Sequence, residues 1–166
     1  MIELRGKAVA DAHKAILQEK VAAVGNSVIT MAVLLVGDDH GAHMYATFME
    51  KTAKNFGYGF VLKQLPETAT HNEVVAALQE LNNDDAVHGI LPLMPMPKHI
   101  DTEALIDMLN PKKDIDGLTT YNIGLVTAGK GGFAPCTAKA CMAILNHYNI
   151  PLEGKHVVVV GRSQVI

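Results

Sequence analysis

Five short segments of this 166-residue chain hold residues whose types and spacing could do chemistry. The first is Gly37-Asp38-Asp39-His40-Gly41-Ala42-His43-Met44-Tyr45, an acidic turn that leads into a tyrosine. Such a turn is also a common helix N-terminus, where a carboxylate accepts a free backbone N–H. The second is Gly89-Ile90-Leu91-Pro92-Leu93-Met94-Pro95-Met96-Pro97. Its prolines remove backbone donors and force an extended path, which suits either a rigid apolar wall or a buried connector. The third, Lys113-Asp114-Ile115-Asp116-Gly117, sets two carboxylates two residues apart before a glycine. That pattern offers paired hydrogen-bond acceptors, and equally it describes a turn. The fourth is Pro135-Cys136-Thr137, and the fifth is His156-Val157-Val158-Val159-Val160-Gly161-Arg162-Ser163. An apolar run entering a glycine turn with an arginine beyond it suits a phosphate at a helix N-terminus.

The surrounding sequence supplies elements that can hold these segments in place. Apolar residues at helical spacing predict an amphipathic helix over 7–24, and an aliphatic, β-branched run predicts a strand over 28–36 covered on both faces. The alternation repeats as helix 42–55, strand 60–65, helix 72–81 and strand 87–91. A further helix is expected over 102–109, an irregular stretch over 117–132, a helix capped by Thr137 and running to about 148, and a last strand over 156–160. Repeated βα units imply an α/β fold with a parallel sheet and flanking helices. In such sheets the loops at the carboxyl ends of strands collect binding residues, and the segments after Val36, Leu91 and Val160 all fall there.

Bulk composition narrows the function classes. A net charge of −3, with 14 Lys and Arg residues scattered along the chain, leaves no basic stripe for a nucleic-acid backbone. No apolar run approaches the roughly 20 residues of a membrane span, and the N-terminus does not read as a secretion signal. Cys136 and Cys141 suit neither a disulfide framework nor paired metal ligands, so reduced thiols in a soluble cytoplasmic protein are expected. Eight histidines show no ligand spacing, and no metal site is expected.

Taken in order and at these separations, the Val-Gly-Asp turn leading to Tyr45, the proline loop, Lys-Asp-Ile-Asp-Gly, Pro-Cys-Thr and Val-Val-Gly-Arg-Ser resemble the bifunctional methylenetetrahydrofolate dehydrogenase/cyclohydrolase family, over essentially the whole chain. The resemblance implies a folate-binding catalytic domain over 1–130, with its boundary at the Gly129-Lys130-Gly131-Gly132 segment. Residues 131–166 would then be a linking helix and the first strand of a truncated Rossmann-type NAD(P)-binding domain. It also implies oxidation of 5,10-methylenetetrahydrofolate by hydride transfer to NADP, with NAD as the alternative. Tyr45 would pack on the folate ring system and Asp116 would accept pterin N–H donors, with Leu93 and Pro95 also lining the substrate site. Thr137, Gly161, Arg162 and Ser163 would contact the cofactor. A homodimer is the family's expected assembly.

Two departures from the family pattern bear on chemistry. The family's catalytic lysine, four residues after the tyrosine, is Met49 here, and the glutamine of the proline loop is Leu93; the serine three residues before the tyrosine is Ala42. Hydrolysis of the methenyl cation needs a group that positions and deprotonates water, which Met49 cannot supply. Neighbouring residues do not replace it: Lys51 lies roughly 120° around a helix from the Tyr45–Met49 line. Hydride transfer asks mainly for two rings held face to face, and it can survive these changes. The expectation is therefore a dehydrogenase with weak or absent cyclohydrolase activity, and the alternative is a non-catalytic protein that binds a folate or another heterocycle. The chain up to Ile166 is expected to be inactive in hydride transfer by itself, and its unpaired valine run is expected to favour self-association.

Overall fold

The computed structural model describes residues 3–25, 28–163 and 165. Nine elements follow one another: α1 (Gly6–Ala23), β1 (Thr30–Val36), α2 (His40–Phe56), β2 (Gly59–Leu65), α3 (His71–Asn83), β3 (Gly89–Pro92), α4 (Thr102–Asp107), α5 (Thr120–Thr127) and α6 (Cys136–His147). The strands form one parallel sheet in the order β2-β1-β3. The parallel α/β architecture expected from the sequence is the one observed.

Side chains of β1 alternate between two cores, because successive residues of a strand point to opposite faces. Ala32, Leu34 and Val36 join Val74, Leu78 and Leu81 of α3, together with Leu105 and Leu109. Val33 and Leu35 face the other way, where Ala42 and Ala46 of α2 meet Leu91 and Leu93. The central strand is thus covered on both sides, which accounts for its unbroken aliphatic sequence.

Local chemistry fixes the helix ends near the site. The Asp39 carboxylate accepts the Ala42 N–H at 2.8 Å and caps α2, so its structural reading holds. Thr70 and Glu73 form a reciprocal capping box on α3. Gly57 ends α2 in the left-handed conformation that glycine tolerates best.

Three expectations need correction. The stretch over 117–132 is not wholly irregular, since α5 occupies Thr120–Thr127. Its low amphipathicity hid it: polar and apolar residues are not segregated to opposite faces of the segment, and its start is set by Thr119, which is buried. Thr137 does not cap α6; the helix begins one residue earlier at Cys136, after Pro135, leaving Thr137 exposed inside the first turn. Finally, residues 156–160 form no strand. A strand is defined by ladder partners, and no described segment pairs with this run, so Val160 stands 95 % exposed.

Candidate active site

The two carboxylates of the Asp-Ile-Asp-Gly segment have opposite fates. Asp114 is fully buried and lies beside β3, where Lys113 O accepts the Ile90 N–H at 2.7 Å. One oxygen of its carboxylate accepts Leu118 N–H at 3.0 Å. The other accepts Thr119 N–H, the Thr119 hydroxyl and Asn122 Nδ2 at 2.9, 2.8 and 2.8 Å. Asn122, also buried, donates to Pro111 O and accepts Phe133 N–H at 3.2 Å. Asp114 is therefore the knot that folds 111–133, with no capacity left for a ligand. Sequence reasoning named Asp114 but missed Thr119 and Asn122; the usable signal was a threonine placed to cap a helix, followed by an asparagine three residues on.

Asp116 is partly exposed; its Oδ1 accepts Cys136 N–H at 3.1 Å, and its carboxylate lies within reach of the Cys136 thiol. Pro135 has no N–H and no side-chain acceptor, so Asp116 supplies the carboxylate that the first turn of α6 lacks. Oδ2 of Asp116 accepts no hydrogen bond among the described residues and is open to an incoming donor. Gly117 makes this approach of the two segments possible. It adopts φ +65°, and a Cβ there would overlap the Phe133 carbonyl oxygen.

Tyr45, half exposed on α2, lies close enough to Asp116 and Cys136 to feel both. Burial, then the Asp116 carboxylate, then Cys136 raise the Tyr45 hydroxyl above its ordinary pKa, so it remains a neutral hydrogen-bond donor. Its ring packs near Phe48 with centroids 6.5 Å apart. An aromatic face, a phenol and a carboxylate oxygen without a protein partner thus share one side of the fold.

Burial, followed by the hydrogen bond and charge of Asp116, pushes the Cys136 thiol up to about 11; Lys139 opposes this, and Asp114 adds to it. The thiol points at Ile115 O, at 3.4 Å. It therefore stays protonated at neutral pH and forms thiolate only as the pH climbs toward the raised value. Alkylation of Cys136 by iodoacetamide near pH 8 is expected to be about 100-fold slower than that of an unperturbed thiol. Peptide mass mapping against time measures it, and labelling as fast as a free thiol would contradict the assigned environment.

The remaining candidate residues are placed as follows. Met49, one turn beyond Tyr45, packs against the cluster that contains Leu93, so the two positions that differ from the family pattern meet in one apolar core. Ala42 belongs to the same cluster. With Gly37, Asp38, Asp39, Glu67 and Pro97, Pro95 lines a cavity of about 340 Å³ beyond the carboxyl end of β1. Gly161, Arg162 and Ser163 are exposed in a segment without regular structure. They carry donors a phosphate needs, but among the described residues no packed strand or helix N-terminus holds them. Among the described residues no group of three or more His, Cys, Asp or Glu side chains could hold a metal ion, and no helix is long and apolar enough to cross a membrane.

Comparison with known proteins identifies the family. Residues 4–116 match the family model for the catalytic domain of tetrahydrofolate dehydrogenase/cyclohydrolase, and residues 135–166 match that for its NAD(P)-binding domain. The bifunctional protein FolD of Chlamydia felis is 42% identical over 137 residues, which cover 82% of this chain and 48% of that protein. The crystal structure of the bifunctional enzyme FolD from Campylobacter jejuni superposes with a TM-score of 0.91 at 36% identity, covering 98% of this chain and 59% of that one. The Trypanosoma brucei enzyme, solved with NADP cofactor and inhibitor, gives a TM-score of 0.90 at 30% identity, covering 96% of this chain and 56% of that one. The chain thus spans about half the length of the relatives it matches. With its catalytic-domain match reaching through the segment that ends at Asp116, this chain belongs to the tetrahydrofolate dehydrogenase/cyclohydrolase family.

Proposed function

We propose that this chain supplies the folate-binding half of an NAD(P)-dependent methylenetetrahydrofolate dehydrogenase in one-carbon metabolism. The observation that carries the reading is the pairing of Tyr45 with Asp116, whose Oδ2 has no protein partner among the described residues. An aminopyrimidine edge presents N–H donors to a carboxylate, while an aromatic side chain packs on the reduced ring system. Asp116 is held by Cys136 N–H and therefore meets the ligand in a fixed orientation. NADP, or alternatively NAD, accepts hydride when bound by a complete nucleotide domain. Arg162 and Ser163 are the residues of this chain offered to its phosphates, with Gly161 before them and Thr137 contributed by the separate Pro-Cys-Thr motif. On this reading the folate-binding domain is 1–130 and the nucleotide domain starts at 131. Leu93 and Pro95, both on the proline loop that follows β3, act as apolar walls of the substrate site.

Cyclohydrolase activity is weak or absent on the same reading. A base at position 49 or a hydrogen-bonding side chain at 93 would activate water, whereas Leu93 is buried in an apolar cluster and Met49 packs against that cluster. A stopped assay that separates methenyl and 10-formyl products tests this: 5,10-methenyltetrahydrofolate should disappear at the buffer rate, and rapid protein-dependent hydrolysis would overturn the loss. Titration with tetrahydrofolate tests the binding site itself. Asp116→Ala should weaken binding at least about tenfold, since a charge-assisted hydrogen bond is worth roughly 1.5–3 kcal/mol. Binding with no hydride transfer in the full-length protein would instead favour a non-catalytic folate binder. A homodimer in the cytoplasm completes the proposal. It is supported by two free cysteines and by the exposed valines of 157–160, and light scattering across a concentration series checks the assembly.

A further inference from the structure

Helix α6 is packed thinly along its length. None of its own side chains is buried, and Val9 is the one buried side chain of α1, the helix it leans on. Between the two helices a cavity of about 670 Å³, bordered by His13, Lys139, Met142 and His147, leaves the middle of the contact unfilled. Among the described residues, the hydrogen bonds that tie α6 to the rest of the fold lie at its two ends. At the first, Cys136 N–H donates to Asp116 and the Cys136 thiol donates to Ile115 O. At the last, the half-buried Tyr148 that closes the helix reaches back to Arg5, 143 residues away in sequence. Its hydroxyl accepts Arg5 N–H and donates to Arg5 O, both at 3.1 Å. One phenol thus holds both backbone groups of the residue that precedes α1. Arg5 offers that helix no side-chain cap, so the contact fixes a start that local sequence leaves loose.

We propose that Tyr148 is a positioning residue for the candidate folate site: by clamping the far end of α6 to Arg5, it holds Cys136 N–H on Asp116 and keeps that carboxylate in the orientation that meets the ligand. The inference rests on the pterin reading of Tyr45 and Asp116 for its link to binding, and deepens it by naming a residue that sets the site from outside. The 12 residues of α6 span about 18 Å, and a helix of that length moves as one stiff element. With the Tyr148 end released, the sparse side packing leaves α6 free to tilt. A shift of about 0.5 Å at the other end already takes Cys136 N–H out of hydrogen-bond range of Asp116.

Tyr148→Phe tests this, since it keeps the ring beside His147, with centroids 5.1 Å apart, and removes only the hydroxyl. Cys136 and Cys141 lie on the same helix and are both exposed, so iodoacetamide labelling with peptide mass mapping reads the Asp116 end against an internal control. In Tyr148→Phe, Cys136 is expected to label about 5- to 10-fold faster near pH 8, as its thiol leaves Ile115 O and Asp116, while Cys141 stays within about twofold. Asp116→Ala should accelerate Cys136 as well. Adding Tyr148→Phe to it should then gain about twofold at most, because both substitutions act on one contact. Three results would overturn the proposal: an unchanged Cys136, equal acceleration of both cysteines, or full multiplication of the two factors in the double variant. Tetrahydrofolate titration supplies the functional arm, in which Tyr148→Phe should weaken binding about 3- to 5-fold. Equal binding by the two proteins would also overturn it. If the unsubstituted chain binds no tetrahydrofolate, the pterin reading fails instead, and the cysteine rates still decide whether Tyr148 positions Asp116.

Discussion

Asp114→Ala is expected to remove about 3–5 kcal/mol of folding stability, whereas Asp116→Ala, two residues away, should cost only about 1 kcal/mol. The difference follows from burial and from what each carboxylate leaves behind. Removing the Asp114 side chain strands the N–H and hydroxyl of Thr119 in a fully buried setting and the N–H of Leu118 in a part-buried one. Asn122 Nδ2 keeps only its bond to Pro111 O, and the tie to Phe133 weakens with it. Removing the Asp116 side chain frees a single N–H at the start of α6, where solvent can replace the carboxylate. Asp114→Asn does not rescue the loss, because an amide nitrogen turned toward these donors adds repulsion. Urea unfolding of the variants, read by circular dichroism, gives the comparison. Equal losses from Asp114→Ala and Asp116→Ala would contradict the division of labour between the two carboxylates, and with it the assignment of Asp116 as the ligand-facing one.

Gly117→Ala carries the second large effect, about 3 kcal/mol or more. A left-handed φ of +65° costs an alanine roughly 1–2 kcal/mol, and overlap of its Cβ with the Phe133 carbonyl adds a packing penalty of about 1–3 kcal/mol. Gly129→Ala separates the two contributions. Its φ is nearly the same, +66°, but a Cβ there meets nothing within 4 Å, so only the backbone cost of roughly 1–2 kcal/mol applies. The contact also matters for function, because the strand of chain through Phe133 and Ala134 delivers Cys136 N–H to Asp116. Any Gly117→Ala protein that still folds should therefore show weakened tetrahydrofolate binding, while Gly129→Ala should bind normally. Equal destabilisation by both substitutions would mean that the close approach contributes nothing.

The substitutions at positions 49 and 93 gain their meaning from packing. In sequence they lie 44 residues apart, and each alone reads as an ordinary apolar residue. In the fold both belong to the core on the α2 face of the sheet. A lysine restored at 49 without a polar partner at 93 would bring a charge into that apolar surface and lose hydration, so the two positions are expected to tolerate polar residues together better than singly.

The sequence alone determined the α/β class, the parallel order of units, and most of the elements before residue 110, because those depend on short-range periodicity and on local capping groups such as Asp39, Thr70 and Glu73. It also placed Tyr45 and Asp116 among the candidates through the order of the motifs. Tertiary structure alone decided which of the two neighbouring aspartates is structural, since only burial and the positions of Thr119 and Asn122 distinguish Asp114 from Asp116. It also moved the start of α6 ahead of Thr137 and left 156–160 without a strand. These outcomes share one physical cause. A hydrogen-bond partner or a ladder neighbour supplied from a distant part of the chain leaves no mark in local periodicity, yet it fixes what each residue can do.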